Sequence, residues 1–178
     1  MSVKRKVVLF IASSLDGYIA TEEESLDWLM RVEGEGDNGF SEFYDTIDTV
    51  LMGKKTYDWV MRQDLEVFPY KGNATFVFTR SAVKDTDDVS FVNKDIESFL
   101  HYLKNIDGKN IWLVGGGDLV QSFLQAALID EIIMIVAPTL LGEGIPLFKK
   151  QKAPVDLKLK GVRNFNQFVE LHYEVKNE

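Results

Sequence analysis

The stretch Asn110-Ile111-Trp112-Leu113-Val114-Gly115-Gly116-Gly117-Asp118-Leu119-Val120 contains the signal that decides the fold. A continuous apolar run meets three glycines, and apolar residues at helical spacing follow directly. This order predicts a buried strand that turns through glycine into the N-terminus of a helix. Such an N-terminus presents free N–H groups and a partial positive charge, which suit a phosphate, and glycine lets a ligand approach the backbone. Nucleotide binding is therefore the first hypothesis.

Short apolar runs alternate with helical patterns along most of the chain. Strands are predicted over residues 7–13, 48–53, 74–79, 89–92, 111–114 and 132–137. Helices are predicted over residues 40–47, 54–61, 95–106 and 119–129. Two alternating segments, 155–162 and 167–175, predict a C-terminal antiparallel hairpin. The pattern predicts one α/β domain over residues 1–178, with three layers: a mostly parallel mixed sheet and helices on both of its faces.

Composition narrows the class of protein. The 178 residues carry a net charge of −8, which argues against a nucleic-acid surface, because such a surface needs a basic stripe. There is no cysteine, which excludes disulfides and thiolate metal sites and fits a reducing cytoplasm. No apolar run approaches the length of a membrane span, and no signal peptide is evident at the N-terminus. We expect a cytoplasmic protein without a nucleic-acid or membrane partner.

Two further segments follow predicted strands and carry phosphate-binding chemistry. Gly53-Lys54-Lys55-Thr56 begins a helix, where Thr56 offers a hydroxyl and an N–H group and the lysines offer charge. Alone, it is more often a solvated basic helix start, but a second glycine-led helix start favours a ligand with two phosphates. Thr79-Arg80 ends another strand, and the planar fork of arginine suits a terminal phosphate monoester. The alternative is an ordinary exposed loop arginine.

Other polar residues give weaker signals. Asp16, in the turn after the first strand, either accepts a hydrogen bond from a ligand hydroxyl or holds the turn, as Asp-Gly turns do. His101 and His172 have no second ligand at metal spacing, so both are interpreted as structural and no metal site is predicted. No G-x-S-x-G hydrolase motif occurs. Aromatic residues near the predicted ligand loops are Trp28, Tyr57 and Trp59.

Five segments, in this order and spacing, resemble the dihydrofolate-reductase-like superfamily. The similarity is greatest to the reductase domain of bifunctional riboflavin-biosynthesis proteins, and it covers nearly the whole chain. The segments are residues 14–20, 50–57, 78–80, 112–117 and 138–148. The resemblance implies an NADPH-dependent reductase that transfers hydride to a small heterocyclic or ribosylaminopyrimidine substrate, like 5-amino-6-(5-phosphoribosylamino)uracil reductases. It also implies a homodimer, in which segment 138–148 either forms a dimer arm or covers the core.

The resemblance also assigns site residues. Those implied to bind the cofactor are Ala12 and Ile19 at the nicotinamide, Gly53, Lys54, Lys55 and Thr56 at the phosphates and the adenosine side, Thr79 and Arg80 at the 2′-phosphate, and Val114, Gly115, Gly116, Gly117, Asp118 and Leu119 at the pyrophosphate. Those implied to bind the substrate are Asp16, Trp28 and Tyr57. Family members are expected to have arginine at position 54. Lysine there lacks the bidentate fork, which leaves the preference for NADPH over NADH open.

One carboxylate distinguishes dihydrofolate reduction from reduction of another heterocyclic substrate. Dihydrofolate reductases place an acid on the pterin sixteen residues before the phosphate-helix glycine, which corresponds to Asp37 as the candidate catalytic residue. Asp37 lies in a glycine-rich loop without the usual proline-tryptophan element, so folate reduction ranks second. The deaminase that accompanies the riboflavin reductase is excluded, because its zinc site needs cysteine. A non-catalytic nucleotide-binding module is the alternative from another class.

Overall fold

The structure, a computed structural model, describes residues 4–177. Its strands are β1 (Val7–Ser14), β2 (Tyr18–Ala20), β3 (Ile47–Gly53), β4 (Ala74–Phe78), β5 (Ser90–Val92), β6 (Asn110–Gly115), β7 (Glu131–Ala137), β8 (Ile145–Pro146), β9 (Leu157–Phe165) and β10 (Phe168–Val175). Its helices are α1 (Asp27–Met30), α2 (Phe40–Tyr44), α3 (Lys54–Met61), α4 (Ile96–Lys104) and α5 (Gly117–Gln125). The longest helices in this part of the chain have nine residues, too few to cross a membrane.

The main sheet has the strand order β5-β4-β3-β6-β1-β7-β10-β9. The first six strands are parallel, whereas β10 pairs antiparallel with both β7 and β9. The predicted mixed sheet and C-terminal hairpin are confirmed. Because the six parallel strands all end on the same side, we call that side the carboxyl edge. Ligands of such sheets bind there.

Alternating side chains of each strand pack into two separate cores. Val7 and Leu9 of β1 face helices α4 and α5, which contribute Leu103 and Phe123 to that core. On the opposite face, residues of α1 and α2 and Tyr57 of α3 pack against the sheet, and Trp112 lies in this second core. We call these the α5 face and the α2 face. The predicted three layers are confirmed, and the strand periodicity explains them.

Several predicted boundaries shift because long-range pairing overrides local pattern. The helix predicted to end at Ile47 ends at Tyr44, since Ile47 is buried at the start of β3. Helix α5 ends four residues early, and Ala127 has a left-handed φ of 53° in the turn that follows. The predicted loop 138–146 contains β8, which pairs with β2. Leu147 is fully buried, so this segment covers the core of its own chain.

A buried carboxylate at the amino end of β7 has three basic partners from other parts of the sheet. Glu131 is 7% exposed, and its carboxylate accepts hydrogen bonds from Lys6 Nζ (2.6 Å) and Lys160 Nζ (2.9 Å) and lies 2.7 Å from His172 Nε2. Burial alone would raise the pKa of Glu131, but these partners outweigh it and lower that pKa from 4.5 to about 2. The charged carboxylate therefore stabilises the folded state.

We expect Glu131→Gln to lower the free energy of unfolding at neutral pH by about 2–3 kcal/mol. Since the folded pKa lies below the unfolded one, this contribution is complete above about pH 5 and is lost as the pH falls toward 2. Urea unfolding between these pH values measures it. Glu174→Gln, at an exposed carboxylate paired in register with Glu131, is the matched control. The same acid dependence in Glu131→Gln and wild type would contradict the assignment.

Candidate active site

The two glycine-led helix starts meet at the carboxyl edge. Strands β3 and β6 are neighbours in the sheet, so α3 and α5 begin side by side. The Gly116 N–H donates a hydrogen bond to Thr56 Oγ1 at 2.9 Å. This hydrogen bond joins the starts of two helices whose residues are sixty positions apart in sequence.

Neither of these helices has a side-chain cap. Gly53 and Gly116 occupy the N-cap positions of α3 and α5 and make no side-chain hydrogen bond there. Helix α4 begins differently, because its N-cap Asp95 accepts a hydrogen bond from the Ser98 N–H at 2.9 Å. The Asp95 carboxylate thus caps α4, whereas no side chain caps the first N–H groups of α3 and α5, and these groups can donate to an external anion.

Each of the three consecutive glycines has its own local environment, which bears on why glycine stands at that position. Gly115 has a left-handed φ of 122°, which favours glycine. At Gly117 a Cβ atom would lie 2.6 Å from the Pro146 carbonyl oxygen, so close packing excludes a side chain. Gly116 has an extended backbone that follows a cis peptide bond with Gly115, and the nearest atom to a Cβ there is Thr56 Oγ1 at 3.2 Å. The absence of a side chain at Gly116 lets the Thr56 hydroxyl approach the backbone of the glycine triplet closely.

One cation pairs with a carboxylate in the first turn of α5, and two others act on it electrostatically. Lys149 Nζ forms an ion pair with Asp118, and this hydrogen bond lowers the pKa of the Asp118 carboxyl. The positive charges of Lys55 and Arg80 also lower it. The structure therefore brings the Gly53 segment, the Thr79-Arg80 segment and the glycine triplet together. Lys149 was not predicted, because no local motif connects it with residues thirty positions earlier.

Lys54 and Lys55 have different surroundings. Lys54 Nζ donates to Asp58 Oδ1 at 2.5 Å and lies 5.8 Å from the centre of the Tyr57 ring, so it points along α3. Lys55 is exposed, and its positive charge lowers the pKa of the Asp118 carboxyl. The hydroxyl of Thr79 accepts a hydrogen bond from the Ser81 N–H at 3.1 Å, which shapes the turn that carries the neighbouring arginine. Phosphate contacts of Lys54, Lys55 and Thr79 stay predictions.

The remaining predicted cofactor residues include four apolar side chains that pack in or against the two cores. Ala12 and Ile19 are half-buried, on the α2 and α5 faces respectively. Val114 and Leu119 pack into the two cores, which leaves mainly their backbone groups accessible to a ligand. The end of β1 adjoins the glycine triplet, since a Cβ at Gly115 would lie 3.3 Å from Ile11 Cδ1.

Asp16 joins two loops over the end of β1. Its carboxylate accepts hydrogen bonds from Ser14 Oγ (2.6 Å), the Gly142 N–H (2.8 Å) and the Leu141 N–H (3.1 Å). The hydrogen bond from Ser14, with those from the two backbone groups, lowers the pKa of Asp16. Of the two roles left open by the sequence, this geometry supports the turn-holding role.

The predicted substrate aromatics differ in accessibility. Trp28 is 4% exposed, and its Nε1 donates to the Ser25 carbonyl at 3.2 Å, so the indole is part of the core. Tyr57 is half-buried and packs edge-on against Phe91 with 5.3 Å between ring centres. Because Tyr57 lies in the first turns of α3, it is the aromatic side chain of this pair that borders the glycine-led helix starts.

Asp37 lacks the surroundings of a proton-donating carboxylate. It is exposed, and its Oδ2 accepts a hydrogen bond from the Ser41 N–H at 2.8 Å, near the start of α2. Hydrogen bonding to Ser41 lowers the pKa of Asp37, which keeps the group ionised. A general acid at neutral pH needs the opposite shift. Within residues 4–177 no group of three metal-ligating side chains comes together.

Comparison with known proteins shows the family. The model of the RibD C-terminal domain family matches residues 5–171. The uncharacterized protein YwjB of Bacillus subtilis (strain 168) is 48% identical over 172 residues, which cover 96% of this chain and 98% of YwjB.

Solved structures show the same fold. The crystal structure of a putative riboflavin biosynthesis protein from Shewanella sp. PV-4 has a TM-score of 0.86 at 29% identity, with coverage of 99% of this chain and 100% of that one. Dihydrofolate reductase from Enterococcus faecalis, complexed with NADP(H) and RAB-propyl, has a TM-score of 0.66 at 15% identity, with coverage of 99% and 100%. The predicted dihydrofolate-reductase-like fold is confirmed. The chain belongs to the RibD C-terminal domain family.

Proposed function

We propose that the protein is an NADPH-dependent reductase of a small heterocyclic or ribosylaminopyrimidine substrate, similar to the riboflavin-pathway reductases. One observation carries the proposal: the Thr56–Gly116 hydrogen bond joins two uncapped helix starts, and Arg80 and Lys55 lie near the same point. This arrangement suits a ligand with several phosphates. The fold shared with a dihydrofolate reductase complexed with NADP(H) supports a nicotinamide cofactor.

Each part of the site has a distinct task in this proposal. The N–H groups of α3 and α5, with the Thr56 hydroxyl, bind the pyrophosphate. The guanidinium of Arg80 binds the 2′-phosphate through two parallel hydrogen bonds. Ala12 and Ile19 provide apolar surface that orients the nicotinamide and excludes water. When bound, the nicotinamide supplies the hydride, and the protein contributes distance and orientation.

Folate reduction fits the structure less well. Asp37 is the residue at the position of the pterin acid, and it is exposed with a lowered pKa. A buried carboxylate that protonates a pterin would have a raised pKa. We therefore place a ribosylaminopyrimidine ahead of dihydrofolate as the substrate.

NADPH oxidation with the two substrates, measured side by side, tests the proposed function. We expect loss of NADPH absorbance with the ribosylaminopyrimidine intermediate and little with dihydrofolate. Faster turnover of dihydrofolate would establish the folate alternative. NADPH that binds but is oxidised with neither substrate would favour the non-catalytic module.

We also propose that the protein forms a homodimer through the α5 face of β9 and β10. Leu157, Leu159, Val162 and Val169 share this face by register, and all four are exposed. No charged residue lies among them, whereas the opposite face carries ion-paired residues such as Arg163. In a chain of net charge −8, an uncharged apolar face is the surface on which two copies meet without repulsion.

Sedimentation velocity tests the dimer. We expect Leu159→Lys combined with Val162→Lys to convert a dimer into a folded monomer, because two desolvated lysines oppose the contact. Lys158→Ala changes the opposite face of the same strand and should leave the dimer intact. A wild-type monomer at all accessible concentrations would refute this interface.

A further inference from the structure

Asp118 presents an electrostatic problem for the proposed cofactor site. It lies in the first turn of α5, where the pyrophosphate would bind, and its side chain is 71% exposed. A carboxylate is itself stabilised by the helix N-terminus, but it repels a phosphate at the same place. The ion pair with Lys149 resolves the conflict, because it neutralises Asp118.

Lys149 is delivered to this position by a segment that is fixed along α5. The Gln121 side-chain amide donates to the Lys150 carbonyl at 3.2 Å, and the Gln151 amide donates to Gln121 Oε1 at 2.8 Å. Just before Lys149, the Pro146 carbonyl packs against Gly117. A Cβ at Gly117 would lie 3.8 Å from Lys149 Cε, so the lysine stem lies over the helix start. These contacts distinguish Lys149 from a freely moving surface lysine.

We propose that Lys149 is a further cofactor-binding residue, which binds the pyrophosphate, and that Asp118 is its positioning residue. This inference rests on the proposed function. Asp118 holds the ammonium at the start of α5 before the cofactor arrives. On binding, the ammonium contacts both the carboxylate and the pyrophosphate. The positive charges of Lys55 and Arg80 also act on Asp118, and we expect them to add to the attraction of Lys149 for the cofactor.

Pyrophosphate and 2′-phosphate contacts are separable by experiment. NADPH and NADH share the pyrophosphate, and NADPH alone has the 2′-phosphate. Calorimetric titration of both cofactors into the full-length protein therefore distinguishes the two assignments. We expect Lys149→Ala to weaken NADPH and NADH binding by the same factor, about tenfold. Lys149→Arg should retain most of the affinity. Lys150→Ala, at the exposed neighbouring lysine, is the matched control and should bind like wild type.

A double-mutant cycle tests the positioning role of Asp118. In Lys149→Ala the carboxylate is left unpaired and repels the pyrophosphate. We therefore expect Lys149→Ala to cost less affinity in an Asp118→Asn background than in the wild-type background. Raising the salt concentration should shrink the difference between Lys149→Ala and wild type, because the interaction is electrostatic. If Lys149 had a purely structural role, the affinity difference between Lys149→Ala and wild type would be the same at low and high salt.

The outcomes separate this inference from the proposed function. Wild-type protein that binds neither cofactor would overturn the proposed function, and this inference with it. Wild-type binding of NADPH together with unchanged binding by Lys149→Ala would overturn this inference alone. A loss confined to NADPH would overturn the pyrophosphate assignment. Additive effects of Lys149→Ala and Asp118→Asn would overturn the positioning role of Asp118.

Discussion

Gly116→Val is expected to weaken NADPH binding by at least about 100-fold and to leave the protein folded. Gly116 has a φ of −66° and a ψ of −175°, which lie outside the left-handed region, and its peptide bond with Gly115 is cis. Its Cβ would lie 3.2 Å from Thr56 Oγ1, so the added methyl groups would occupy the space between the starts of α3 and α5. Calorimetric titration measures the binding, and circular dichroism on heating measures the fold.

Two other glycines provide the controls. A Cβ at Gly161 in β9 has no atom within 4 Å, so Gly161→Val should bind NADPH like wild type. Gly117→Val should instead destabilise the protein, because a Cβ there meets the Pro146 carbonyl at 2.6 Å. Tight NADPH binding by folded Gly116→Val would show that the pyrophosphate does not lie at the glycine triplet.

Arg80→Ala is expected to weaken NADPH binding by about 30- to 100-fold and to change NADH binding little. Arg80 is exposed directly after β4, and within residues 4–177 no carboxylate forms an ion pair with it. Its guanidinium is therefore available to the 2′-phosphate, which NADH lacks. Dissociation constants for both cofactors, measured on the same preparation, give the discrimination directly.

Adding Lys54→Ala to Arg80→Ala should bring the NADPH and NADH affinities together. The increment from Lys54 should be the smaller one, because its ammonium is held by Asp58 at 2.5 Å. Arg62→Ala is the matched control, since Arg62 is an exposed arginine just beyond the other end of α3 that pairs with Glu24. Unchanged preference for NADPH in the double variant would refute the assignment of the 2′-phosphate.

Local sequence was sufficient for most of the fold. The apolar run before Gly115, the glycines and the helical spacing after Leu119 predicted β6, the turn and α5, because each depends on neighbours within a few positions. The alternation in residues 167–175 predicted β10 for the same reason. The predicted helix end at Ile47 was wrong, because Ile47 pairs with Asn110 in the sheet.

The candidate site was harder to predict from the sequence than the fold was. Gly53, Arg80 and Gly116 carry recognisable chemistry after predicted strands, so the sequence suggested all three as phosphate-binding residues, and these assignments stay predictions. Lys149 was missed, because its relation to Asp118 exists only after segment 138–148 has folded over the core.

Asp37 shows that a sequence pattern can also suggest a site residue without indicating its environment. Spacing from Gly53 pointed to it as a catalytic acid, but spacing contains no information about burial. The structure shows an exposed carboxylate beside the start of α2. Trp28, for which a substrate contact stays a prediction, is buried in the α2-face core.

The sequence by itself determined the strand and helix periods, the glycine turns and the charged residues that follow the strands, because these properties are local. Only the tertiary structure decided which of those residues meet. The strand order places β3, β6 and β1 side by side, and this order brings Thr56 to Gly116 and Ile11 to Gly115. The ion pair of Asp118 with Lys149 likewise arises from a contact between residues distant in sequence, and this contact lowers the pKa of the Asp118 carboxyl.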